Sequence, residues 1–363
     1  MTNRTEQCLI LDPQSPGIEE IYQTVPNNKV KTYKIVTPTE TLFGKVYFDK
    51  PKTAQKEISN ARLFEEFEFV SKLHFDTQLS NTSWLLAYEY IDGIDLQKYF
   101  SSLKDISGEL DLSLSIRIID QIYNLSRQQN VPNSSFSDST PLCSPIREGF
   151  LSDKDHLAFI DCYKFVLDKN SSTVKSFPGI YSDRNPRNII INSDKVTHVD
   201  FGRLENTSMI FDLIKFIRNG TDIQISSTDE FSTEVILSND NYKRYSSFSA
   251  ETEATLLRHT YDLFNRSEIS FRDFQIMYQF GCIHNHFFYL SKYGKLISEN
   301  RGDLRKIMPR FVYHSGALKD LFVYLTHYDD RVIDLNAWLS KMVDSVVTQH
   351  KQNNNSSRYT FSN

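Results

Sequence analysis

Short apolar runs separated by turn-forming residues dominate the first quarter of the chain. Residues 30–37 and 41–48 are rich in β-branched and aromatic side chains, and a turn at 38–40 separates them. Residues 18–25 precede them across another turn, and residues 84–90 form a further apolar run. Runs of this length bounded by Pro, Asn and Asp are typical of strands. The pattern therefore predicts a small antiparallel sheet.

A helical period first appears inside this region and then takes over the rest of the chain. The predicted helix over residues 58–73 has four apolar residues on one face, namely Leu63, Phe67, Val70 and Leu73. Beyond residue 110 the apolar positions recur every three or four residues. They predict helices at about 113–128, 153–167, 210–217, 250–265, 271–293, 303–328 and 334–347.

These elements predict an α+β protein with two lobes. Residues 1–92 are expected to form a small antiparallel β-sheet lobe with one helix, and residues 93–347 a larger, mostly helical lobe. The last residues, 348–363, are polar and are expected to be a disordered tail.

Composition excludes several classes of function. The 363 residues carry a net charge of −5 with Lys and Arg scattered along the chain, so no nucleic-acid partner is expected. The sequence contains no run of 18 apolar residues, so no membrane span is expected. The four cysteines are far apart in the sequence and form no metal or disulfide pattern, which favours a cytoplasmic protein with reduced thiols.

The candidate chemistry lies in residues 181–212. Asp183 and Asn188 precede the apolar run 189–191, and Asp200 follows a second run at 196–199. A strand, turn and strand would bring these three side chains to the same edge. One carboxylate that takes a proton from a hydroxyl, together with an amide and a carboxylate that hold Mg²⁺, suits phosphoryl transfer.

The same residues carry a family resemblance. D-x-N-P-x-N at 183–188 and D-F-G-R-L at 200–204 resemble the catalytic and metal motifs of the protein kinase-like superfamily. Within it the chain most resembles the aminoglycoside phosphotransferase and choline kinase-like small-molecule kinases, partly because Asp212 lies twelve residues after Asp200.

The resemblance implies a two-lobed protein kinase-like fold, with ATP and Mg²⁺ as cofactors. Asp183 is then the catalytic base, Asn188 and Asp200 are the metal ligands, and Asp212 supports the catalytic loop by accepting hydrogen bonds. The simpler alternative for Asp212 is a carboxylate at the start of a helix.

A lysine in the third predicted strand needs an anionic partner if it is buried. Lys45 lies within L-F-G-K-V-Y-F, and Glu66 lies on the apolar face of the helix predicted over 58–73. We expect these two to form the Lys–Glu pair that steadies nucleotide phosphates in kinases. A solvent-facing lysine is the alternative, and Glu57 or Glu65 are the next candidates for the partner.

Two further segments are candidate nucleotide contacts. The main chain around Glu89 and Ile91, in E-Y-I-D-G, resembles the segment that joins the lobes of kinases and contacts adenine. Asn27 and Asn28 occupy the first turn, where the resembling family places a phosphate-binding loop that usually contains Gly. An ordinary hairpin turn is an equal alternative for this pair.

The sequence therefore predicts an ATP- and Mg²⁺-dependent phosphotransferase with a small hydroxylated molecule as acceptor. One alternative is a pseudokinase, a nucleotide-binding interaction module without transfer, since Tyr181 stands where the family usually has His. The other is a protein kinase, although the short interval from Asp200 to Asp212 leaves little room for a substrate-docking segment.

Overall fold

The computed structural model describes residues 17–21, 29–106, 112–127, 151–193, 195–218, 232–237, 248–264 and 268–359. It is a mixed α+β structure with an antiparallel sheet and a set of packed helices, which confirms the predicted fold class. The chain divides into two compact units. The first contains the described residues up to Asp95 together with Asn188–Leu204, and the second contains the remaining described residues.

The first unit is built on a five-stranded antiparallel sheet with the strand order β1-β2-β3-β5-β4. Side chains alternate along the strands, so that one set packs around Leu42 and Val46 and the other set packs around Tyr47 and Leu86. The strands are β1 (Ile18–Ile21), β2 (Val30–Val36), β3 (Thr41–Tyr47), β4 (Leu73–Gln78) and β5 (Trp84–Glu89).

The helix of this unit differs from the predicted one. Helix α1 spans Pro51–Leu63, whereas the apolar period predicted residues 58–73. Pro51 occupies the first turn of the helix, where proline's fixed φ and missing N–H are tolerated. After Leu63 the chain leaves the helix, and rings of three phenylalanines pack against one another in the turns that follow, namely Phe64, Phe67 and Phe69.

A short sheet completes the first unit. It contains β6 (Ile94–Asp95), β8 (Ile189–Asn192) and β9 (Lys195–His198) in the order β6-β8-β9. Strands β8 and β9 form the predicted hairpin, with Ile189 opposite His198. Gly93 enters this sheet so closely that a Cβ at its position would lie 2.4 Å from the carbonyl oxygen of Ile191, which explains the glycine.

The second unit is mostly helical. Its two-stranded sheet pairs β7 (Gly179–Tyr181) with β10 (Glu205–Thr207). Its helices are α2 (Leu96–Ile106), α3 (Leu112–Ser126), α4 (Asp153–Ser176), α5 (Ile210–Arg218), α6 (Thr233–Ile236), α7 (Ala250–Phe264), α8 (Phe271–Ser298), α9 (Leu304–Leu325) and α10 (Val332–Tyr359). None of the helices in the described part of the chain is long and apolar enough to cross a membrane.

Candidate active site

The β8–β9 hairpin places two predicted metal ligands at one end. Asn188 directly precedes β8, and Asp200 follows β9 by two residues. The amide of Val199 donates to the carbonyl of Asn188 at 2.9 Å, which holds the two chain segments together at this end. The Asp200 side chain is 48% exposed, so its carboxylate faces solvent beside Asn188 in the first unit.

Lys45 joins this end of the hairpin to the sheet. Its ammonium donates to Asp200 Oδ1 at 2.9 Å and to Glu57 Oε2 at 2.9 Å. Burial by itself lowers the pKa of Lys45, but the carboxylates of Asp200 and Glu57 outweigh burial and raise it well above its usual value. Lys45 is therefore a fixed positive charge between two carboxylates.

The partner predicted from the sequence, Glu66, is wrong. Helix α1 ends at Leu63, so Glu66 lies in the following turn with an exposed side chain. Glu57 lies inside α1 and is completely buried, and it forms the ion pair with Lys45. The sequence did contain the signal, because a helix that starts at Pro51 places Glu57 on the buried face, which also carries Ala54, Ile58 and Ala61.

Two tyrosines complete the surroundings of Glu57. The hydroxyl of Tyr88 donates to Glu57 Oε1 at 2.9 Å, and the hydroxyl of Tyr47 donates to Oε2. Burial raises the pKa of both tyrosines, and Glu57 raises them further while Lys45 acts in the opposite direction, so both remain protonated donors. Three donors therefore converge on one buried carboxylate, and Glu57 in turn fixes the Lys45 ammonium.

The crowding around Glu57 also explains why residue 202 is a glycine. A Cβ at this position would lie 3.0 Å from Glu57 Oε2 and 3.4 Å from Asp200 Oδ1. The preceding residue, Phe201, is held through its carbonyl, which accepts from the Asn60 side-chain amide on α1 at 2.8 Å. The D-F-G segment is therefore bonded to α1 directly at Phe201 and is linked to Glu57 of the same helix through Lys45.

Asp183, the predicted catalytic base, belongs to the second unit. It follows β7 with φ of +58°, a left-handed conformation that is unusual for a residue other than glycine. Its Oδ1 accepts a hydrogen bond from the Tyr181 hydroxyl at 3.2 Å and another from the Lys215 ammonium. The side chain keeps 29% of its surface exposed, so it is held by two donors and still reaches solvent.

Asp212 braces the loop that carries Asp183. Its Oδ2 accepts from the amide of Ser182 at 2.7 Å and from the Ser182 hydroxyl at 3.0 Å, and its Oδ1 accepts from the amide of Arg184 at 2.7 Å. These are the hydrogen bonds that the resemblance implied. Burial raises the pKa of Asp212 to about 6, although Arg184 and the two amides act in the opposite direction.

Sequence reasoning missed Lys215 altogether. This lysine lies on α5 three residues after Asp212, so the two side chains lie on the same side of the helix and both reach the loop at 182–184. The spacing was available in the sequence. A lysine on an amphipathic helix, however, most often faces solvent, so its type alone does not indicate this contact.

One of the main-chain groups near Glu89 that was predicted to contact adenine is already used within the first unit. The amide of Glu89 donates to the carbonyl of Lys72 at 2.9 Å, so this amide does not face a ligand. Ile91 lies after the end of β5 and is half-buried. Asn27 and Asn28 lie outside the described residues, so the predicted phosphate turn has no structural counterpart here.

Two solved structures that are similar to this chain are kinases of small molecules. A choline kinase from Cryptosporidium parvum Iowa II superposes with a TM-score of 0.52 over 89% of this chain and 92% of its own, at 12% identity. An ethanolamine kinase from Plasmodium vivax superposes with a TM-score of 0.51 over 85% of this chain and 84% of its own, at 13% identity. At the level of sequence, no protein-family model and no curated protein matches the chain. The two superpositions show that the chain has the predicted kinase-like fold.

Proposed function

We propose that this chain is an ATP- and Mg²⁺-dependent phosphotransferase whose acceptor is a hydroxyl group of a small molecule. One observation carries the proposal, namely the Lys45 ammonium fixed between buried Glu57 and exposed Asp200. A cation anchored on one side by a buried carboxylate is suited to hold nucleotide phosphates on the other. The fold supports this function, since the similar solved structures are a choline kinase and an ethanolamine kinase.

The donor atoms at the end of the hairpin fit Mg²⁺. Asp200 offers a carboxylate and Asn188 a side-chain amide, and Mg²⁺ prefers such oxygen ligands. The described residues contain no group of three or more His, Cys, Asp or Glu that would form an all-protein metal cage. Mg²⁺ in phosphoryl transfer usually takes one or two protein ligands and completes its shell with phosphate and water, which this pair permits.

The remaining groups supply binding and proton transfer. Lys45 neutralises phosphate charge, and the main chain around Glu89 and Ile91 forms the contact to adenine. Asp183 orients the acceptor hydroxyl and takes its proton. The acceptor oxygen forms a bond to the γ-phosphorus while the bond from that phosphorus to the bridging oxygen of ADP breaks. The products are ADP, the phosphorylated acceptor and a proton, which Asp183 passes to solvent.

A specific observation disfavours the protein kinase alternative. The chain after Gly202 goes directly into β10, which pairs with β7, and then into α5 from Ile210. This segment is therefore occupied by secondary structure and offers no extended ledge for a protein substrate. The pseudokinase alternative is disfavoured because Lys45, Asp183 and Asp200 are all retained.

ADP release with Mg²⁺ and ATP, measured against a panel of sugars, polyols, nucleosides and amino alcohols, tests the proposal. We expect acceptor-dependent ADP release that disappears in Asp183→Asn and in Asp200→Ala. Labelled ATP incubated with cell extract and separated by size should place the label in the small-molecule fraction. Label confined to macromolecules would favour a protein kinase, and nucleotide binding without transfer to any fraction would favour a pseudokinase.

A further inference from the structure

One of the side chains that contact Asp183 is a lysine that has no role in the proposed reaction so far. Lys215 on α5 donates a hydrogen bond to Asp183 Oδ1, and only 11% of its side chain is exposed. Its Nζ lies 5.1 Å from the centre of the Tyr181 ring and 5.9 Å from the centre of the Tyr289 ring. One carboxylate and two aromatic faces therefore surround this ammonium.

Lys215 stays charged in spite of its burial. Burial alone lowers the pKa of Lys215, but Tyr289, Tyr181 and Asp183 outweigh burial and raise that pKa well above its usual value. The charge next to Asp183 is therefore present throughout the pH range in which a kinase is assayed.

Further cationic side chains contact Tyr289 and its neighbour Tyr293. Lys292 Nζ lies 5.7 Å from the centre of the Tyr289 ring and 5.8 Å from that of Tyr293. Arg310 donates to the Tyr293 hydroxyl at 3.3 Å. His314 stacks on Tyr289 at 5.0 Å between ring centres, and burial followed by Lys292 lowers its pKa to about 3, so it is neutral. This aromatic cluster therefore already contacts three cations.

Two features normally attract an ammonium group to a binding site, namely a carboxylate charge and the faces of aromatic rings. Here Lys215 neutralises the carboxylate of Asp183 and covers the faces of Tyr181 and Tyr289. An acceptor with its own ammonium would bring a second positive charge close to Lys215 when its hydroxyl reaches Asp183. One unit charge at about 6 Å changes affinity roughly 100-fold at an effective dielectric constant near 20.

We propose that Lys215 excludes cationic acceptors, so that the substrate of this chain is a hydroxylated molecule that is neutral or anionic. The inference rests on the proposed phosphotransferase function and specifies its substrate class. The proposed substrate class of this chain therefore differs from choline and ethanolamine, the amino alcohols that give two of the similar kinases their names.

Acceptors with one carbon skeleton and different charge test the inference in the full-length wild-type chain. ADP release is measured with glucose, glucuronate and glucosamine, and with glycerol, glycerate and 3-amino-1,2-propanediol. In parallel, γ-labelled ATP is incubated with the small-molecule fraction of a cell extract that ion exchange has divided into cationic, neutral and anionic pools. We expect kcat/KM for the neutral or anionic member to exceed that of the amine at least tenfold, and label in the neutral or anionic pool.

Variants of Lys215 connect this preference to the residue. Lys215→Met removes the charge and keeps the aliphatic chain, so we expect the preference against the amine to fall at least tenfold, mainly through KM. Lys215→Arg keeps the charge and should keep the preference. Lys164→Met is the matched control, since Lys164 is an exposed lysine paired with Asp161 on α4. This variant should change neither the preference against the amine nor KM.

Each outcome decides between the two proposals. Preference of the wild-type chain for the amine, or label in the cationic pool, contradicts the role of Lys215 and leaves the phosphotransferase proposal intact. Unchanged selectivity in a folded Lys215→Met also contradicts it. Absence of transfer to every acceptor and every pool contradicts the phosphotransferase proposal, and the substrate inference then falls with it. If Lys215→Met does not fold, the wild-type panel still decides.

Discussion

Asp183 and Asp200, the two carboxylates assigned to chemistry, share an unusual backbone conformation. Their φ angles are +58° and +61°, in the left-handed region that most residues avoid at a cost of about 1–2 kcal/mol. Asp tolerates this region better than most residues, because its short side chain bonds locally. Each of the two lies two residues after the end of a strand, and the Asp212 carboxylate accepts from the amides on either side of Asp183.

Replacing Asp183 should separate chemistry from nucleotide binding. We expect Asp183→Asn to lower kcat by about 10²–10⁴-fold, because the amide cannot take the hydroxyl proton. The affinity for Mg–ATP, measured by calorimetry, should stay unchanged because the nucleotide is assigned to the first unit. Asp161→Asn, at an exposed carboxylate on α4, is the control. Turnover close to that of the wild type would remove Asp183 from the role of base.

Lys45 and Glu57 should behave as one unit. Lys45→Met leaves a buried carboxylate without its cation, and Glu57→Gln leaves the ammonium without its anchor. A double-mutant cycle on kcat/KM should therefore give a coupling energy of about 0.5–3 kcal/mol. The same cycle with Glu66→Gln should give none, since Glu66 is exposed in the turn after α1. The reverse result would restore the partner that the sequence predicted.

Among the secondary-structure elements, α5 has the most direct influence on the candidate site. It delivers both Asp212, which holds the loop amides, and Lys215, which holds Asp183. The two contacts come from adjacent positions on one side of a helix. A shift of α5 would therefore move the backbone and the side chain of the catalytic loop together.

The raised pKa of Asp212 predicts a stability change with pH. The folded state keeps the proton up to pH of about 6, whereas the unfolded chain loses it near 3.8. The stability that this group contributes is therefore full below pH of about 4 and falls by about 3 kcal/mol as the pH rises through about 6.

Denaturant unfolding of the wild type and Asp212→Asn at pH 4 to 7 measures this effect. The wild type should lose stability relative to the variant between pH of about 4 and 6, because the variant has no proton to lose there. Titrations common to both chains cancel in the difference. A difference that does not change with pH would mean that Asp212 titrates alike in the folded and unfolded states.

Sequence patterns predicted most elements but missed α2 and β4, gave α1 the wrong bounds, and assigned to a disordered tail residues 348–359, which belong to α10. Strong local signals explain the successes, such as Ser152, whose side chain caps the start of α4 at Asp153, and the turn between β8 and β9. The failure at residues 58–73 arose because Phe67, Val70 and Leu73, which lie in the turns and the strand after α1, imitated a helical stripe. The phenylalanines of these turns pack against rings elsewhere. Their contacts, including Phe64 with Phe201 at 5.1 Å between ring centres, join distant parts of the chain and cannot be read from a local period.

The candidate site was predictable where motifs carried it and not where packing did. Asp183, Asn188, Asp200 and Asp212 were predicted from motif spacing and family resemblance, and their roles stay predictions. Glu57 was only a second choice after Glu66, and Lys215 was not predicted, because the start of α1 and the orientation of α5 depend on tertiary contacts. Both residues act by holding another charged side chain, and residue type alone does not indicate such support.

For the molecule as a whole, nucleotide binding should increase the free energy of unfolding. A ligand that binds only the folded state at 100 times its Kd adds about 2.7 kcal/mol to the free energy of unfolding. We expect ATP with Mg²⁺ to stabilise the wild type, ATP with EDTA to stabilise it much less, and Asp200→Ala to lose the Mg²⁺-dependent part. Equal stabilisation with and without Mg²⁺ would remove Asp200 from the metal site.

The first unit is assembled from two distant chain segments, and this affects when it can fold during synthesis. Residues up to Asp95 emerge first, but β6 pairs with β8, and Lys45 and Asn60 bond to the D-F-G segment, all of which are synthesised much later. From residue 95 to residue 188 the ribosome adds 93 residues. At about 5–20 residues per second this takes about 5–20 seconds. For that time the nascent sheet has an unpaired β6 and an uncovered α1. The first unit can therefore be completed only after residues 96–187, which belong mostly to the second unit, have been translated.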